Sequence, residues 1–283
     1  MRKLMAIFAH PDDEGAISGT LAHYAQQGVE VTLVCGTRGE VGEISDPALA
    51  TRETLGTVRT KELEVACQIL GIQRLEFLGY RDSGMDGTPE NGDPRAVVQA
   101  GPEAVKAQLV GLIRQLKPDV AITFEPFGWY GHPDHIAVSR WVTEVYPSVG
   151  DASAYPEQGE AWQPSRLFHA VIPFSRFGAM IEEAVAAGYL QMDGNGSGFD
   201  IPAEQQMKTE AAVTHVIDIQ HLFDLKQKGM RAHQTPFGED SMFRKIPREL
   251  MQKANPDEHF IQIQPAPTEG LTQNRLSDLF AGV

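Results

Sequence analysis

Short apolar runs alternate with amphipathic segments in the first half of this chain, and that alternation constrains its fold more than any other feature. Strand-like runs at residues 4–9, 29–37, 74–79 and 120–125 take turns with helix-like segments at residues 16–27, 51–70, 102–116 and 133–146. The runs are almost continuously apolar, as in strands that helices cover on both faces. This order predicts an α/β fold with a Rossmann-like, doubly wound and mainly parallel sheet.

The second half has a different texture. Residues 147–164 are rich in Pro, Gly, Ala and Ser and predict a long loop, and the sequence DGNGSG at 193–198 predicts a flexible linker. Strands are predicted at 167–173, 213–219 and 260–264, and helices at 177–187 and 222–232. We therefore expect a core at residues 1–175 and a smaller C-terminal strand-helix subdomain at residues 176–283 that packs on it.

Composition limits the classes of function. The formal net charge is −14, from 24 basic and 38 acidic residues, so nucleic acid and anionic membranes are not expected as main partners. The chain contains no apolar run of about 18 residues, so we expect no transmembrane helix. The first apolar run is too short for the core of a signal peptide, which favours a cytoplasmic protein. Cys35 and Cys67, in apolar surroundings, are interpreted as buried, inert thiols.

Two histidine-containing motifs follow the first and fourth predicted strands. The first is HPDDE at residues 10–14, and the second is GHPDH at residues 131–135. In an open α/β sheet the ligand site lies at the carboxyl ends of the strands. We therefore expect both motifs to open onto one rim of the sheet.

The residue types in these motifs are those of a catalytic metal site. Imidazole and carboxylate groups suit zinc and similar divalent ions, and a catalytic site commonly has three protein ligands and one open position. His10, Asp13 and His135 supply such a set, and Asp12 beside them could take a proton from an activated water. Taken alone, PDDE is also typical of a helix start, with Pro and carboxylates in the first turn. The two motifs together favour a metal site.

The motifs AHPDDE and GHPDH resemble those of the PIG-L/LmbE-like superfamily of zinc-dependent N-acetylglucosaminyl deacetylases. Two further stretches, VRTKEL and YRDSGMDGTPEN, resemble the branch that contains the mycothiol and bacillithiol deacetylases and the mycothiol-conjugate amidases. The resemblance covers residues 1 to about 145. Gly15 and Ile17 depart from the small polar residues that this branch often has near the first motif.

The resemblance implies a role for several positions. It implies that His10, Asp13 and His135 bind zinc, and that Asp12 is the general base. A second set concerns the reacting carbonyl: His132 as an imidazolium that stabilises the oxyanion or protonates the leaving amine, Asp134 as the residue that orients it, and Tyr130 as a donor to the carbonyl oxygen. Substrate contacts are implied for Arg59, Asp82 and Met85.

The expected activity is removal of the N-acetyl group from a small molecule that contains N-acetylglucosamine, giving a free amine and acetate. Two alternatives stay open: a thiol-conjugate amidase of the same superfamily, and a non-catalytic carbohydrate-binding protein that retains a metal. The ligand set suits zinc or ferrous iron. Symmetric assemblies are common among soluble proteins, which favours a homo-oligomer. His233, after a predicted helix, is interpreted as structural, and Trp129 either stacks on a sugar or seals the core.

Overall fold

One seven-stranded sheet organises the protein in the computed structural model, which describes residues 1–191 and 201–283. The strands are β1 (Lys3–Phe8), β2 (Glu30–Cys35), β3 (Arg74–Phe77), β4 (Val120–Phe124), β5 (Arg166–Val171), β6 (His215–Asp218) and β7 (Asp257–Gln264). Their order in the sheet is β3-β2-β1-β4-β5-β7-β6. Neighbouring strands among β1 to β5 pair in parallel, and β7 is antiparallel to both β5 and β6. The predicted mainly parallel α/β sheet is confirmed.

Helices cover both faces of this sheet. They are α1 (Ser18–Gln26), α2 (Leu55–Leu70), α3 (Pro102–Leu116), a single irregular turn α4 (Gly128–Gly131), α5 (Pro133–Val149), α6 (Phe174–Ala186), α7 (Ala203–Ala211), α8 (Phe223–Ala232), α9 (Met242–Lys245) and α10 (Arg248–Ala254). The local signals act as expected in the long helices: α3 begins at a proline, and α2 ends at Gly71 in the left-handed conformation. β1 and β4 are buried almost throughout, because neighbouring strands and helices enclose them.

The predicted loop at residues 147–164 begins later than expected and is tightly held. Helix α5 continues through Pro147 to Val149 before the chain turns. The buried guanidinium of Arg114 then donates to six carbonyl oxygens, of Ser148, Val149, Asp151, Ala154, Tyr155 and Gly159. The Arg114 side chain thus supplies hydrogen-bond donors to loop carbonyl groups that no helix or strand pairs. The linker predicted at 193–198 lies outside the described residues.

The C-terminal segment continues the sheet of the first half, because β7 inserts between β5 and β6. Glu258 of β7 lies under the start of α1, where its carboxylate accepts hydrogen bonds from the backbone of Gly19 and Thr20 at 3.0 and 2.7 Å. Lys226 of α8 donates to the same carboxylate at 2.6 Å, and both side chains are buried. The domain boundary near residue 175 stays a prediction.

Two smaller expectations concern thiols and membranes. Cys35 and Cys67 are buried and form no disulfide, and burial raises the pKa of each thiol, in line with the predicted inert role. Across residues 1–191 and 201–283, none of the helices has the length and apolar character that crossing a membrane requires.

Candidate active site

The two histidine motifs meet where the strand order of the sheet reverses. β1 lies between β2 and β4. After β1 the chain forms β2 and β3 on one side of it, and then crosses to form β4 on the other side. Such a switch point opens a crevice beyond the carboxyl ends of the strands, where α/β proteins bind ligands. HPDDE follows β1 directly and GHPDH lies beyond β4, so the crevice receives both.

The three predicted metal ligands converge in this crevice. His10 Nδ1 lies 3.1 Å from His135 Nε2, which lies 3.2 Å from Asp13 Oδ1, and the shortest approach between His10 Nδ1 and Asp13 is 3.7 Å. All three side chains are buried. Tetrahedral ligands bonded to zinc at about 2.0–2.1 Å stand roughly 3.3 Å from one another. The two distances from His135 Nε2 are close to this value, whereas the distance of 3.7 Å from His10 is to Asp13 Oδ2, the oxygen that the backbone holds.

Asp13 is prepared as an anionic ligand by its own loop. Its Oδ2 accepts hydrogen bonds from the backbone N–H groups of Ala9 and His10 at 3.1 and 2.7 Å, which leaves Oδ1 facing His135. Burial by itself would raise the pKa of Asp13, but the imidazoles of His135 and His10 lower it below its usual value. The carboxylate therefore stays ionised although it is buried.

His10 contacts acidic groups through both ring nitrogens. Its Nε2 lies 3.1 Å from Asp134 Oδ2 and 3.6 Å from Asp82 Oδ1. Burial would lower the pKa of His10, but the carboxylates of Asp82, Asp134 and Asp13 outweigh it and raise that pKa above its usual value. A histidine that ligates a metal commonly donates its other N–H to a carboxylate, which fixes the ring.

Within the described ranges, two sets of three side chains bring all their ligand atoms close enough to share an ion in the present arrangement, and each combines His10 with at least one residue outside the predicted set. One combines His10 with His132 and His135, and the other combines His10 with Asp82 and Asp134. Asp82 is already engaged, since its two oxygens accept from the backbone N–H groups of Gly84 and Val41. The predicted substrate contact at Asp82 thus has a structural task in the rim loop, and its carboxylate also supports His10.

Asp12, whose side chain is 19% exposed, forms an ion pair with the buried Arg59 at the edge of the crevice. Arg59 Nη2 lies 2.8 Å from Asp12 Oδ2, and the guanidinium also donates to the carbonyl oxygens of Pro11 and Gly39 at 2.5 and 3.3 Å. Burial raises the pKa of Asp12, and the charge of Arg59 opposes that rise. Arg59, predicted as a substrate contact, is directed at the predicted base.

His132 begins helix α5 and differs from its expected charge. Its Nδ1 accepts a hydrogen bond from the backbone N–H of Asp134 at 3.2 Å. Burial, followed by the charges of His10 and His135, lowers the pKa of His132 to about 3. The surroundings thus favour a neutral ring that carries its proton on Nε2, because the hydrogen bond at Nδ1 selects that tautomer. The expected imidazolium is not supported.

Asp134 also contacts a different histidine than expected. It lies two residues into the helix that His132 starts, so its backbone N–H rather than its carboxylate meets the His132 ring. Its Oδ2 instead approaches His10 and accepts from the backbone N–H of Ser83 at 3.0 Å. Oδ1 is buried and has no hydrogen-bond partner among the described residues. An unpaired, buried carboxylate oxygen on a side chain that also contacts His10 fits a centre that holds a cation.

The turn between β4 and α5 places His135 through unusual backbone geometry. The Glu125 carboxylate accepts from the backbone N–H groups of Phe127 and Trp129, each at 2.7 Å. Gly128 has a positive φ of 66°, and a Cβ on it would lie 2.7 Å from the Cβ of His135. Trp129 is buried and its Nε1 donates to the carbonyl of Ala170, so its indole seals the core. The alternative role in sugar stacking is not supported.

The last two predicted residues, Tyr130 and Met85, are less buried than the three proposed metal ligands. Tyr130 is partly buried, with its ring centroid 5.1 Å from that of His135 and 6.2 Å from that of His132. Met85 is 46% exposed on the loop after β3.

Two side chains near Asp12, Glu14 and His233, were given no role in catalysis by the sequence analysis. Glu14 contacts both the backbone of Asp12 and the side chain of His233, which links the catalytic loop to the end of α8. Glu14 resembled an ordinary first-turn carboxylate, and His233 was interpreted as structural. In the sequence, the feature that could have pointed to this contact was the histidine directly after a predicted helix.

A cavity of about 480 Å³ lies beside the loop that carries Asp82. It is lined by Arg38, Glu40, Arg52, Glu53, Gly56, Thr57 and Arg81. Glu40 also accepts a hydrogen bond from the backbone N–H of Asp82, so the cavity and the rim loop share a wall. The space is polar and large enough for a substituent on a sugar.

Comparison with known proteins agrees with this geometry. A deacetylase named 1D-myo-inositol 2-acetamido-2-deoxy-alpha-D-glucopyranoside deacetylase, from Rhodococcus jostii (strain RHA1), is 34% identical over 299 residues, covering 100% of this chain and 98% of the relative. The N,N'-diacetylchitobiose deacetylase structure from Pyrococcus horikoshii, complexed with its inhibitor, superposes with a TM-score of 0.64 at 20% identity, covering 100% of this chain and 89% of that one.

A third protein has the same fold and a different reaction. The structure of the 4-carboxy-2-hydroxymuconate hydratase from Pseudomonas putida superposes with a TM-score of 0.62 at 16% identity, covering 95% of this chain and 99% of that one. The fold alone therefore does not fix the chemistry. The family model described as PIG-L, GlcNAc-PI de-N-acetylase, matches residues 5–146, which contain both histidine motifs. This match and the full-length relative show that the chain belongs to the PIG-L family.

Proposed function

We propose that the protein is a divalent-metal-dependent deacetylase that hydrolyses the acetamide of a small molecule containing N-acetylglucosamine. The observation that carries this proposal is the position of His135 Nε2, which lies 3.1 Å from His10 Nδ1 and 3.2 Å from Asp13 Oδ1. Asp12 lies next to this set in the same loop. The family match and the named activity of the Rhodococcus relative support the same reaction.

We propose zinc as the ion, with ferrous iron as an alternative that the same donors accept. His10, Asp13 and His135 would hold it. A divalent ion at this position would act as a Lewis acid toward the acetamide carbonyl, and it would also lower the pKa of a bound water to about 7. The contacts on His10 and Asp13 support this assignment, because both side chains are held in place by partners outside the ligand set.

Asp12 accepts the proton of the attacking water as general base. Its ion pair with Arg59 fixes the carboxylate and favours the ionised form that can take a proton. After attack, the same carboxylate passes the proton to the departing amine, which yields the free amino sugar and acetate. A positioned base of this kind contributes roughly 10²- to 10⁴-fold to the rate.

His132 and Tyr130 stabilise the charge that grows on the carbonyl oxygen. With Nδ1 of His132 accepting from the backbone, Nε2–H remains as a neutral donor toward the crevice. Tyr130, whose pKa burial raises well above its usual value, stays a hydroxyl donor at neutral pH. Donors that are fixed before the reaction stabilise developing charge without reorganising. Met85 and the adjoining cavity are the proposed contacts for the rest of the substrate.

We further propose an inositol-linked N-acetylglucosamine as the substrate, by analogy with the named substrate of the relative. A thiol-conjugate amidase is the second candidate, and the cavity of about 480 Å³ beside Asp82 favours it, since a larger amide substrate needs such space. The cytoplasmic location and the homo-oligomer stay predictions.

The deciding experiment measures acetate release from N-acetylglucosamine, its inositol and malate glycosides, and cleavage of an acyl-thiol conjugate, with the metal content determined on the same sample. The proposal expects acetate release from at least one glycoside, dependent on bound metal. Cleavage of the conjugate alone would establish the amidase. Sugar binding without turnover of any substrate would identify a non-catalytic carbohydrate-binding protein.

A further inference from the structure

The C-terminal segment reaches the catalytic loop through one buried contact. His233, the residue after helix α8, places its Nε2 2.5 Å from Glu14 Oε1. The two side chains are 0% and 1% exposed, so no solvent shares the contact. The other oxygen of Glu14, Oε2, accepts the backbone N–H of Asp12 at 3.0 Å. A continuous line of contacts therefore joins α8 to the backbone of the proposed general base.

Asp12 needs such support because of its backbone conformation. Its φ is 104° and its ψ is −20°, in the left-handed region that residues with a Cβ rarely adopt. A strained conformation persists only where the surrounding structure holds it, and such sites cluster where geometry serves function. Arg59 holds the carboxylate of Asp12, and Glu14 holds its backbone N–H. The direction of the carboxylate depends on both.

We propose that His233 and Glu14 are a positioning pair that maintains the left-handed conformation of Asp12 and thereby aims its carboxylate at the attacking water. Glu14 uses one oxygen for each partner, so without the donor at position 233 its carboxylate loses the anchor that fixes it under Asp12. The inference rests on the proposed function, in which Asp12 is the base. The competing view is that His233 only fills the core.

The same segment contains a matched control. Thr235, two residues on and also fully buried, donates through its backbone N–H and its Oγ1 to Glu62 of α2 at 2.9 and 2.6 Å. This contact anchors the segment to the body of the protein and does not involve the Asp12 loop. A Thr235→Val substitution keeps the shape of the side chain and removes one buried hydrogen bond.

The experiment compares His233→Gln, His233→Leu and Thr235→Val in the metal-loaded protein. Glutamine can place an N–H donor near the position of Nε2, whereas leucine has similar bulk and no donor. We expect His233→Leu to lower kcat by about 100-fold, the scale of a misplacement of about 1 Å, with KM and metal content unchanged. His233→Gln should stay within about fivefold of wild-type kcat, since the donor is restored. Thr235→Val should lower the melting temperature and leave kcat unchanged.

A second measurement does not depend on activity. Hydrogen exchange of the Asp12 backbone N–H, followed by NMR in the metal-free and the loaded protein, reports directly on the bond to Glu14. We expect exchange at Asp12 to be at least tenfold faster in His233→Leu and close to wild type in His233→Gln and Thr235→Val. If the wild-type protein deacetylated none of the substrates, the proposed function would be wrong. The exchange rates at Asp12 would still show whether His233 and Glu14 hold its backbone.

The pair is overturned if His233→Leu keeps wild-type kcat and Asp12 protection, or if glutamine is as damaging as leucine in both measurements. A change confined to KM, or an equal loss of kcat in Thr235→Val, would also overturn it. If His233→Leu does not fold, His233→Asn takes its place, because the shorter amide cannot reach Glu14 and remains polar. The same expectations then apply to His233→Asn.

Discussion

The ion pair between Asp12 and Arg59 leads to a prediction that separates catalysis from stability. In Asp12→Asn the carboxylate is lost but the shape is kept, so the proposed general base disappears while the three proposed metal ligands stay intact. We expect kcat to fall by about 100-fold or more, the usual contribution of a positioned base. Bound metal, measured by elemental analysis, should stay at the wild-type level.

The same substitution leaves the buried guanidinium of Arg59 without its anion. Removing one partner of a buried pair typically costs about 3–5 kcal/mol. Arg59 keeps the carbonyl oxygens of Pro11 and Gly39, so we expect the lower end, about 3 kcal/mol in the free energy of unfolding. For a chain of 283 residues that corresponds to a melting temperature lower by about 5 °C.

The double variant Asp12→Asn/Arg59→Met tests the reasoning. It removes the unpaired charge, so it should recover part of the lost stability in urea unfolding while acetate release stays absent. Near-normal turnover in Asp12→Asn would refute the assignment of the base. A double variant no more stable than Asp12→Asn would refute the view that the ion pair sets the cost.

Three further predictions concern other parts of the molecule. His135→Ala should lose bound metal after dialysis while its circular dichroism stays unchanged; retention of stoichiometric metal would contradict the proposed ligand set. Lys226→Met leaves the buried carboxylate of Glu258 without its cation and should lower the free energy of unfolding in urea by about 3 kcal/mol. An unchanged urea midpoint would show that the backbone N–H groups stabilise this carboxylate without the lysine. Burial lowers the pKa of His169 to about 4, so between pH 7.5 and pH 5 the unfolded chain takes up a proton that the folded protein refuses, and stability falls by about 2 kcal/mol from this group alone. His169→Gln should therefore lose less stability than wild type over this range, and equal losses would argue against a neutral buried ring.

The order of strands and helices in the first half could be predicted because each element carries its own periodicity and end signals. The convergence of His10, Asp13 and His135 could be predicted as well, because the carboxyl ends of parallel strands share one edge. The insertion of β7 between β5 and β6 could not, since strand order depends on pairings between distant segments.

Contacts that join distant buried groups were also beyond the sequence. The family resemblance implied that Arg59 contacts substrate, and its partner Asp12 could not be predicted because helix α1, strand β2 and a loop separate the two residues. The charge of His132 depends on burial and on two other histidines, which no local pattern encodes. Arg114 lies in helix α3, and no local pattern in the sequence indicates that it holds together the loop that follows α5.

The position of β7 has a consequence for any attempt to shorten this protein. β5 is buried along almost its whole length, and β7 supplies the hydrogen bonds on its outer side. A chain that stopped near residue 175 would present those N–H and C=O groups on an open, apolar edge, which is the template from which intermolecular strand pairing and aggregation grow. The C-terminal third thus also protects the core from self-association.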